Sequence, residues 1–229
     1  MPRTRRGGHP ARIPCVIEEL RKAASVIAVR EDPGGPQVLV VERSARNRFL
    51  PGYVVFPGGA VDADDADLAR TWFGDPVEAA RTAAVRELAE EVGLVLTRAG
   101  LRPVGDGDPL AQAVASPPGA DQLHESAHWI APEDVPVRFD ARYFTVFAPN
   151  GLDPVPDGTE DAHAWWVTPA RLLAEWESGD RKLYWPTLLT MQALARCVTG
   201  RELLAFTFET REPSDDEVDR LPRSVFWQD

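Results

Sequence analysis

Three glutamates, Glu87, Glu90 and Glu91, are the residues of this 229-residue chain whose types and spacing most clearly predict chemistry. On a helix, side chains three and four positions apart lie on the same face. Like charges placed in this way each destabilise the helix by roughly 0.2–0.5 kcal/mol. A divalent cation would turn that repulsion into coordination, because Mg²⁺ and Mn²⁺ prefer oxygen ligands. The glutamates alone leave two interpretations open, a metal site and a solvated helix face.

The residues around these glutamates favour the metal site. The segment from Glu78 to Leu94 has the form E-x7-R-E-L-x-E-E-x-G-L. From average residue abundances, the five charged residues and the glycine of this pattern, six positions, occur by chance in about 200 windows with a probability on the order of 10⁻⁵. The arrangement is therefore too specific to be explained by an ordinary charged helix face.

The helix that carries the glutamates has clear boundaries in the sequence. Asp75 is a suitable N-cap, Pro76 suits the first helical position, and Gly93 ends the helix. The apolar residues of this segment fall within one arc of the helix: Val77, Ala80, Ala84, Val85, Leu88 and Val92. We expect this side to pack against a sheet.

Strands and further helices are predicted on both sides of this helix. A hairpin is expected from Ala23–Arg30 and Gln37–Glu42, and a short strand at Tyr53–Phe56 ends in Pro57-Gly58-Gly59. The later predicted elements are a loop at 105–122 with a short helix near 110–114, strands at 142–147 and 165–167, a helix at 170–176, and a helix that begins at Pro186 and ends before Gly200.

Composition excludes several classes of function. The chain has 25 basic and 36 acidic residues and a net charge of −11, which argues against broad binding of nucleic acid through phosphates. No apolar run approaches the roughly 18 residues of a membrane span. Cys15 and Cys197 form no metal-binding spacing, so a reducing cytoplasm is the expected location. The sequence leaves the oligomeric state open, including a homodimer.

The glutamate pattern matches the Nudix box, G-x5-E-x7-R-E-U-x-E-E-x-G-U with U apolar, so the chain resembles a Nudix hydrolase. The resemblance implies an α+β fold, an α/β/α sandwich in which a mixed β-sheet lies between helices. It also implies hydrolysis of a small-molecule nucleotide diphosphate with Mg²⁺ or Mn²⁺. Clustered cations fit this reaction, because they shield the phosphate oxygens and activate water.

The same resemblance assigns roles to residues. Glu87, Glu91 and Glu90 are implied metal ligands, with the Gly59 carbonyl as a further donor, while Glu78, Arg86 and Gly93 shape the box. A further catalytic glutamate on a loop is matched best by Glu160, with Asp161 and Glu125 as rivals and an exposed loop acid as the alternative. The sequence does not assign the general base among these carboxylates.

The front of the box departs from the family pattern. Eighteen residues, Ala60–Val77, separate Gly59 from Glu78 where the pattern has five, which implies an insertion of 13 residues. We expect a longer loop before the helix. Its acidic residues are predicted to be surface charge: Asp62, Asp64, Asp65 and Asp67.

A second motif resembles a branch of the family. Residues Arg43 to Gly59 match R-S-x3-R-x3-G-x3-F-P-G-G, most of the signature of coenzyme A diphosphatases, although Val41 stands where that signature has threonine. Together with the long insertion, this indicates the branch linked to CoA and acyl-CoA. Arg43 and Arg48 are candidates for binding the 3′-phosphate of CoA, or else pair with surface acids. Four aromatic residues are candidates for stacking an adenine or lining an acyl channel, or else belong to the core: Trp129, Tyr143, Trp165 and Trp166.

The predicted organisation is a basic arm at residues 1–22, a Nudix domain at 23–200 with its insertion at about 60–77, and an acidic extension at 201–229. The extension is expected either to pack over the domain or to be a mobile tail. Three functions follow: a CoA or acyl-CoA diphosphatase releasing 3′,5′-ADP and (acyl-)4′-phosphopantetheine, a hydrolase of ADP-ribose, NADH or another nucleotide diphosphate, and a nucleotide-binding regulator without catalysis.

Overall fold

The computed structural model of the chain shows strands and helices in the order that a sandwich requires. It describes residues 20–47, 49–132, 138–155, 163–208, 211–214, 216–217, 221–222 and 225. The strands are β1 Arg21–Arg30, β2 Gln37–Glu42, β3 Tyr53–Val55, β4 Gly58–Ala60, β5 Leu94–Thr97, β6 Gly100–Pro103, β7 His124–Ile130, β8 Phe139–Phe147, β9 His163–Val167 and β10 Lys182–Leu183. The α-helices are α1 Ala63–Phe73, α2 Ala79–Val92, α3 Ala111–Ala115, α4 Pro169–Glu177, α5 Trp185–Leu194 and α6 Gly200–Leu204.

The long strand β1 organises a mixed sheet. Along one edge it pairs in parallel with β8 over nearly its whole length. Along its other edge it pairs antiparallel with β2 at one end and with β4 at the other. The order is β10-β3-β2-β1-β8-β7, with β9 on β2 and β4 on β1. The sheet therefore divides beside β1, and Gly58 and Gly59 lie at that division.

Two hydrophobic cores cover the two faces of the sheet, because successive side chains of a strand point in opposite directions. Val26 and Phe144 pack against Leu88 on the α2 side. Ile27 packs on the opposite face in a core that includes Leu188 of α5. The predicted class, a mixed sheet between helices, is confirmed.

The inserted segment before α2 differs from the prediction. Instead of a lengthened loop it forms helix α1, which ends at Gly74 in the left-handed conformation with φ of 81°. Its Leu68, Trp72 and Phe73 contribute to the core that α2 covers. Aspartates surround these few apolar residues in the sequence, so the helical periodicity was too weak to predict the helix.

Other boundaries also differ. Residues 76–78 form a 3₁₀ turn before α2, and Val77 is 69% exposed, so this residue does not join the apolar face. Strand β1 begins at Arg21 rather than at Ala23, and the hairpin of β5 and β6 and the strand β7 were not predicted. The hairpin of β1 and β2, the short helix α3 and the two helices after β9 agree with the predictions.

Described residues from the predicted C-terminal extension pack on the fold. Phe206 and Phe208 lie against the core beneath α5, and the Arg211 guanidinium lies 4.8 Å from the Trp129 ring centroid. The division into arm, domain and extension stays a prediction, and most of the predicted arm, residues 1–19, lies outside the described residues. Among the helices that the structure describes, none has the length and apolar character needed to cross a bilayer.

Candidate active site

Helix α2 is held between two defined ends. The Asp75 carboxylate accepts a hydrogen bond from the Val77 N–H at 2.9 Å. Gly93 has φ of 66° and donates its N–H to the Ala89 carbonyl at 3.2 Å. A Cβ at Gly93 would lie 2.8 Å from the carbonyl carbon of Val155, so a larger residue does not fit there. These contacts fix both ends of the segment that carries the glutamates, from the 3₁₀ turn at 76–78 to the end of α2.

Two of the glutamates meet the glycines of β4. The Gly58 N–H donates to Glu91 Oε2 at 2.8 Å. A Cβ at Gly59 would lie 2.5 Å from Glu87 Cδ, so only a glycine lets this carboxylate approach the backbone so closely. The structure thus brings Glu87, Glu91 and Gly59 together, as the metal prediction requires.

Arg86 links these carboxylates to the rest of the fold. Its Nη1 donates to Glu87 Oε1 at 2.7 Å and to Glu90 Oε2 at 3.0 Å, and its Nη2 donates to the Ala60 carbonyl at 2.9 Å. Burial alone would lower the pKa of Arg86, but the hydrogen bond to Asp65 and the nearby carboxylate charges outweigh it and raise the pKa. Arg86 therefore stays protonated and donates hydrogen bonds to both Glu87 and Glu90.

Asp65 completes this set, and the sequence prediction for it was wrong. Asp62, Asp64 and Asp67 are exposed, as expected, whereas Asp65 is only 1% exposed. Its two carboxylate oxygens lie 3.1 Å from Nε and Nη2 of Arg86. The spacing of Asp62 and Asp65 suits a helix start, but no local signal could show that Asp65 meets a residue 21 positions later.

Oxygen ligands suited to a hard cation lie beside the glycines. No three His, Cys, Asp or Glu side chains converge as a complete metal site within the described ranges. Mg²⁺ commonly keeps several waters and needs only one or two protein carboxylates together with substrate phosphates. Glu87 and Glu91 beside β4 fit that requirement, while Glu90 and the Gly59 carbonyl remain predicted ligands.

The other predicted site residues are distributed around this centre. Glu78 pairs with Arg81 at 2.8 Å, which ties the start of the box to its own helix. Glu125 lies on β7 and pairs with Arg142 at 3.4 Å. Glu160, its rival Asp161 and the predicted phosphate ligand Arg48 lie outside the described residues.

An aromatic cavity of about 310 Å³ opens on the other side of the glycines. It lies on the sheet face opposite α2. Ala23 and Ser25 of β1 line the cavity, whereas Ala24 between them faces the α2 side of the sheet. Arg43 borders it, and its Nε donates to the Phe49 carbonyl at 3.0 Å. The aromatic lining residues are Phe49, Phe56, Phe139, Tyr143 and Tyr184.

The two phenols of the cavity are uncharged at neutral pH. Burial raises the pKa of Tyr184 to about 12. Burial also raises the pKa of Tyr143, although a hydrogen bond with Ser25 opposes this shift. The cavity therefore offers apolar rings and neutral hydroxyls.

Of the four aromatic residues singled out from the sequence, Tyr143 alone lines this cavity. Trp129 is buried in an edge-to-face pair with Trp185, at 5.4 Å between centroids. Trp166 donates its indole N–H to the Leu152 carbonyl, and Trp165 lies under the Arg181 guanidinium. Phe49 and Phe56 were missed, although both stand within the Arg43–Gly59 motif.

A mixed sheet between helices, with a glutamate helix against a glycine strand, defines a class of metal-dependent hydrolase. The chain matches the model of the NUDIX domain over residues 19–185. Because this match covers more than half of its length, the chain belongs to the Nudix family, as the glutamate pattern predicted. Nudix hydrolases generally use divalent metal ions.

Individual relatives agree with this assignment. The chain is similar to the crystal structure of a Nudix hydrolase from Alicyclobacillus acidocaldarius, with a TM-score of 0.71, 29% identity, and coverage of 84% of this chain and 98% of that one. It is 28% identical to a Caenorhabditis elegans protein provisionally named nudix hydrolase 7, over 79% of this chain and 62% of that protein. It is 26% identical to acyl-coenzyme A diphosphatase NUDT19 of Gallus gallus, over 71% of this chain and 64% of that protein. The chain thus spans less than two thirds of the length of these two curated relatives.

Proposed function

We propose that this chain hydrolyses the diphosphate of CoA or acyl-CoA with Mg²⁺ or Mn²⁺. Water adds to one phosphorus and the bond to the bridging oxygen breaks, giving 3′,5′-ADP and 4′-phosphopantetheine or its acyl derivative. One observation carries the proposal: Glu87 and Glu91 and an aromatic cavity adjoin the same glycine pair. A diphosphate at the glycines could therefore extend an apolar arm into the cavity.

The residues of α2 have separate roles in the proposed reaction. The bound cation supplies shielding of the phosphate oxygens and lowers the pKa of water. Glu87 and Glu91 would hold the cation, and Arg86 orients Glu87 through their 2.7 Å hydrogen bond. A carboxylate of this set, or Glu160, accepts the proton that water loses.

The cavity and its arginine suit the two ends of CoA. Aromatic walls and neutral phenols favour a thioester acyl chain or the pantetheine arm over a charged group. Arg43 borders the cavity and suits a 3′-phosphate, for which Arg48 is the second candidate. The name of the Gallus gallus relative, acyl-coenzyme A diphosphatase, supports this choice of substrate.

The decisive test is product analysis by chromatography with CoA, octanoyl-CoA, dephospho-CoA and ADP-ribose. We expect 3′,5′-ADP from both CoA substrates, and slower turnover of dephospho-CoA. Glu91→Gln keeps an acceptor for the Gly58 N–H but removes a ligand charge, so turnover should fall by about 10²-fold or more. Glu177→Gln, an exposed change at the end of α4, is the matched control and should leave turnover unchanged.

Other outcomes decide against the proposal. Equal rates on CoA and dephospho-CoA would contradict a role for the 3′-phosphate. Preferential cleavage of ADP-ribose would favour a different nucleotide diphosphate hydrolase. Ligand binding without turnover of any substrate would favour the non-catalytic regulator.

The cavity has a test of its own. Phe139 and Phe147 are the first and last residues of β8, but Phe139 lines the cavity whereas Phe147 is 54% exposed. Phe139→Ala should raise KM for octanoyl-CoA by about tenfold, equivalent to roughly 1.4 kcal/mol of lost apolar contact. It should change KM for CoA less, and Phe147→Ala should change neither. Equal effects of Phe139→Ala on both substrates would place the acyl chain elsewhere.

A further inference from the structure

The contact between the inserted helix α1 and the box helix α2 is centred on a buried ion pair. Both oxygens of Asp65 face one edge of the Arg86 guanidinium, 3.1 Å from Nε and from Nη2. Asp65 is itself fixed, because its Oδ2 accepts the Asp62 N–H at 2.8 Å at the start of α1. With 1% of Asp65 exposed, water cannot easily replace it as the partner of Arg86.

The opposite edge of the guanidinium reaches the glutamates. A guanidinium is planar and its N–H groups point in fixed directions, so a partner that fixes one edge also fixes the other. With Nε and Nη2 directed at Asp65, Nη1 is directed at Glu87, at 2.7 Å, and at Glu90, at 3.0 Å. Arg86 thus connects Asp65, a residue outside the box pattern, to the Glu87 carboxylate that approaches Gly59.

We propose that Asp65 is a positioning residue for metal binding, which holds Arg86 so that Glu87 remains available to a cation beside Gly59. Without the Asp65 charge, the Nε and Nη2 edge of Arg86 would keep only the longer 3.5 Å contact of Nη2 with the exposed Asp62 and its hydrogen bond to the Ala60 carbonyl. The guanidinium would then turn towards Glu87 and Glu90 and compete with the cation for them. The proposal rests on the metal-binding part of the proposed function and not on the choice of substrate.

The test is a titration of the full chain with Mn²⁺ without substrate, in which electron paramagnetic resonance measures free Mn²⁺. Asp65→Asn preserves the size of the side chain and removes its charge. We expect it to raise the Kd for Mn²⁺ by at least about fivefold, or roughly 1 kcal/mol. Asp67→Asn makes the same change two residues away on the exposed side of α1, where Asp67 pairs with Arg70, and should leave the Kd within twofold.

A second pair of measurements separates positioning from bracing of the fold. Thermal unfolding in EDTA reports the stability of each variant without metal. If Asp65→Asn lowers the unfolding temperature in EDTA but leaves the Kd for Mn²⁺ within twofold, Asp65 only braces α1 and the proposal is wrong. If Asp65 acts through Arg86, the double variant Asp65→Asn/Arg86→Lys should have a Kd for Mn²⁺ within twofold of that of Arg86→Lys alone. A further fivefold increase in the Kd of the double variant would overturn the proposal.

The outcome does not depend on turnover of CoA. A chain that binds Mn²⁺ through Asp65-supported glutamates but cleaves another diphosphate would retain this inference and lose the proposed substrate. A wild-type chain that binds no Mn²⁺ would overturn the inference directly.

Discussion

Replacing Gly59 with alanine tests the geometry of the site most directly. A Cβ there would lie 2.5 Å from Glu87 Cδ and 2.7 Å from Glu87 Oε2, while ordinary contacts begin at 3.4 Å. The Glu87 carboxylate must therefore retreat by about 0.9 Å. Misplacement of a catalytic group by about 1 Å can reduce a rate by about 10²-fold. Because Gly59 has no positive φ and its neighbour is a flexible side-chain end, folding should be nearly unaffected.

The neighbouring glycine is the matched control. A Cβ at Gly58 would lie against the Ala24 carbonyl and 2.7 Å from Ser25 Cα, and these backbone atoms of the central strand cannot move aside. Gly58→Ala should therefore reduce the free energy of unfolding by about 3 kcal/mol. For a chain of this size, the unfolding temperature should fall by about 6–12 °C.

The assay combines kcat at saturating Mg²⁺, on whichever diphosphate the wild-type chain cleaves, with calorimetry of both variants. We expect Gly59→Ala to lose rate at nearly wild-type stability, and Gly58→Ala to lose stability. A folded Gly59→Ala variant with kcat within threefold of wild type would refute the claim that the Glu87 position matters. Equal stability losses in the two variants would refute the distinction between a flexible and a rigid neighbour.

Three further predictions concern stability. Thr190→Val removes the hydroxyl that accepts the 3.0 Å hydrogen bond of the buried Trp129 indole N–H. It should therefore lower the free energy of unfolding, measured with denaturant, by about 1–3 kcal/mol and leave turnover unchanged. An unchanged unfolding midpoint would contradict this. The hydrogen bond from Arg211 lowers the pKa of Glu217 from 4.5 to about 2. The stabilisation of the folded chain by this ion pair is therefore complete above pH 4.5 and is lost as the pH falls towards 2. Glu217→Gln should thus destabilise the chain at pH 7 and progressively less below pH 4.5, and a constant difference across that range would count against the ion pair. EDTA added to a sample whose Mn²⁺ concentration is about 100 times the Kd should lower the free energy of unfolding by about 2.7 kcal/mol. The unfolding temperature should then fall by about 5–10 °C. Equal unfolding temperatures with and without EDTA would mean that the chain binds no cation.

The box helix could be predicted from the sequence because its signals are local. Asp75 and Gly93 mark its ends, and the apolar arc identifies its buried face. The hairpin of β1 and β2 could be predicted for the same reason, since a turn of Asp, Pro and Gly separates two β-branched runs. Such features depend only on residues that are close together in the sequence.

The missed features depend on residues that are distant in sequence. The role of Asp65 appears only when α1 packs on α2 and brings it to Arg86. The aromatic cavity needs Phe56, Phe139 and Tyr184, which come from three separate parts of the chain. Periodicity identifies which side of an element is apolar, but it does not identify which other element covers that side.

The glycine strand explains how the proposed substrate could contact both charged carboxylates and an apolar cavity. Carboxylates in an aromatic cavity would be poorly solvated, and their pKa values would rise, which would weaken cation binding. Here the sheet keeps them apart: Glu87 and Glu91 approach β4 on the α2 side, while the cavity lies on the opposite face. Because β1 pairs with β2 at only one end, β4 fills the remaining edge. Glycines there bring both environments next to the same backbone, so the proposed CoA substrate would bind a cation through its diphosphate while its apolar arm lies away from the carboxylates.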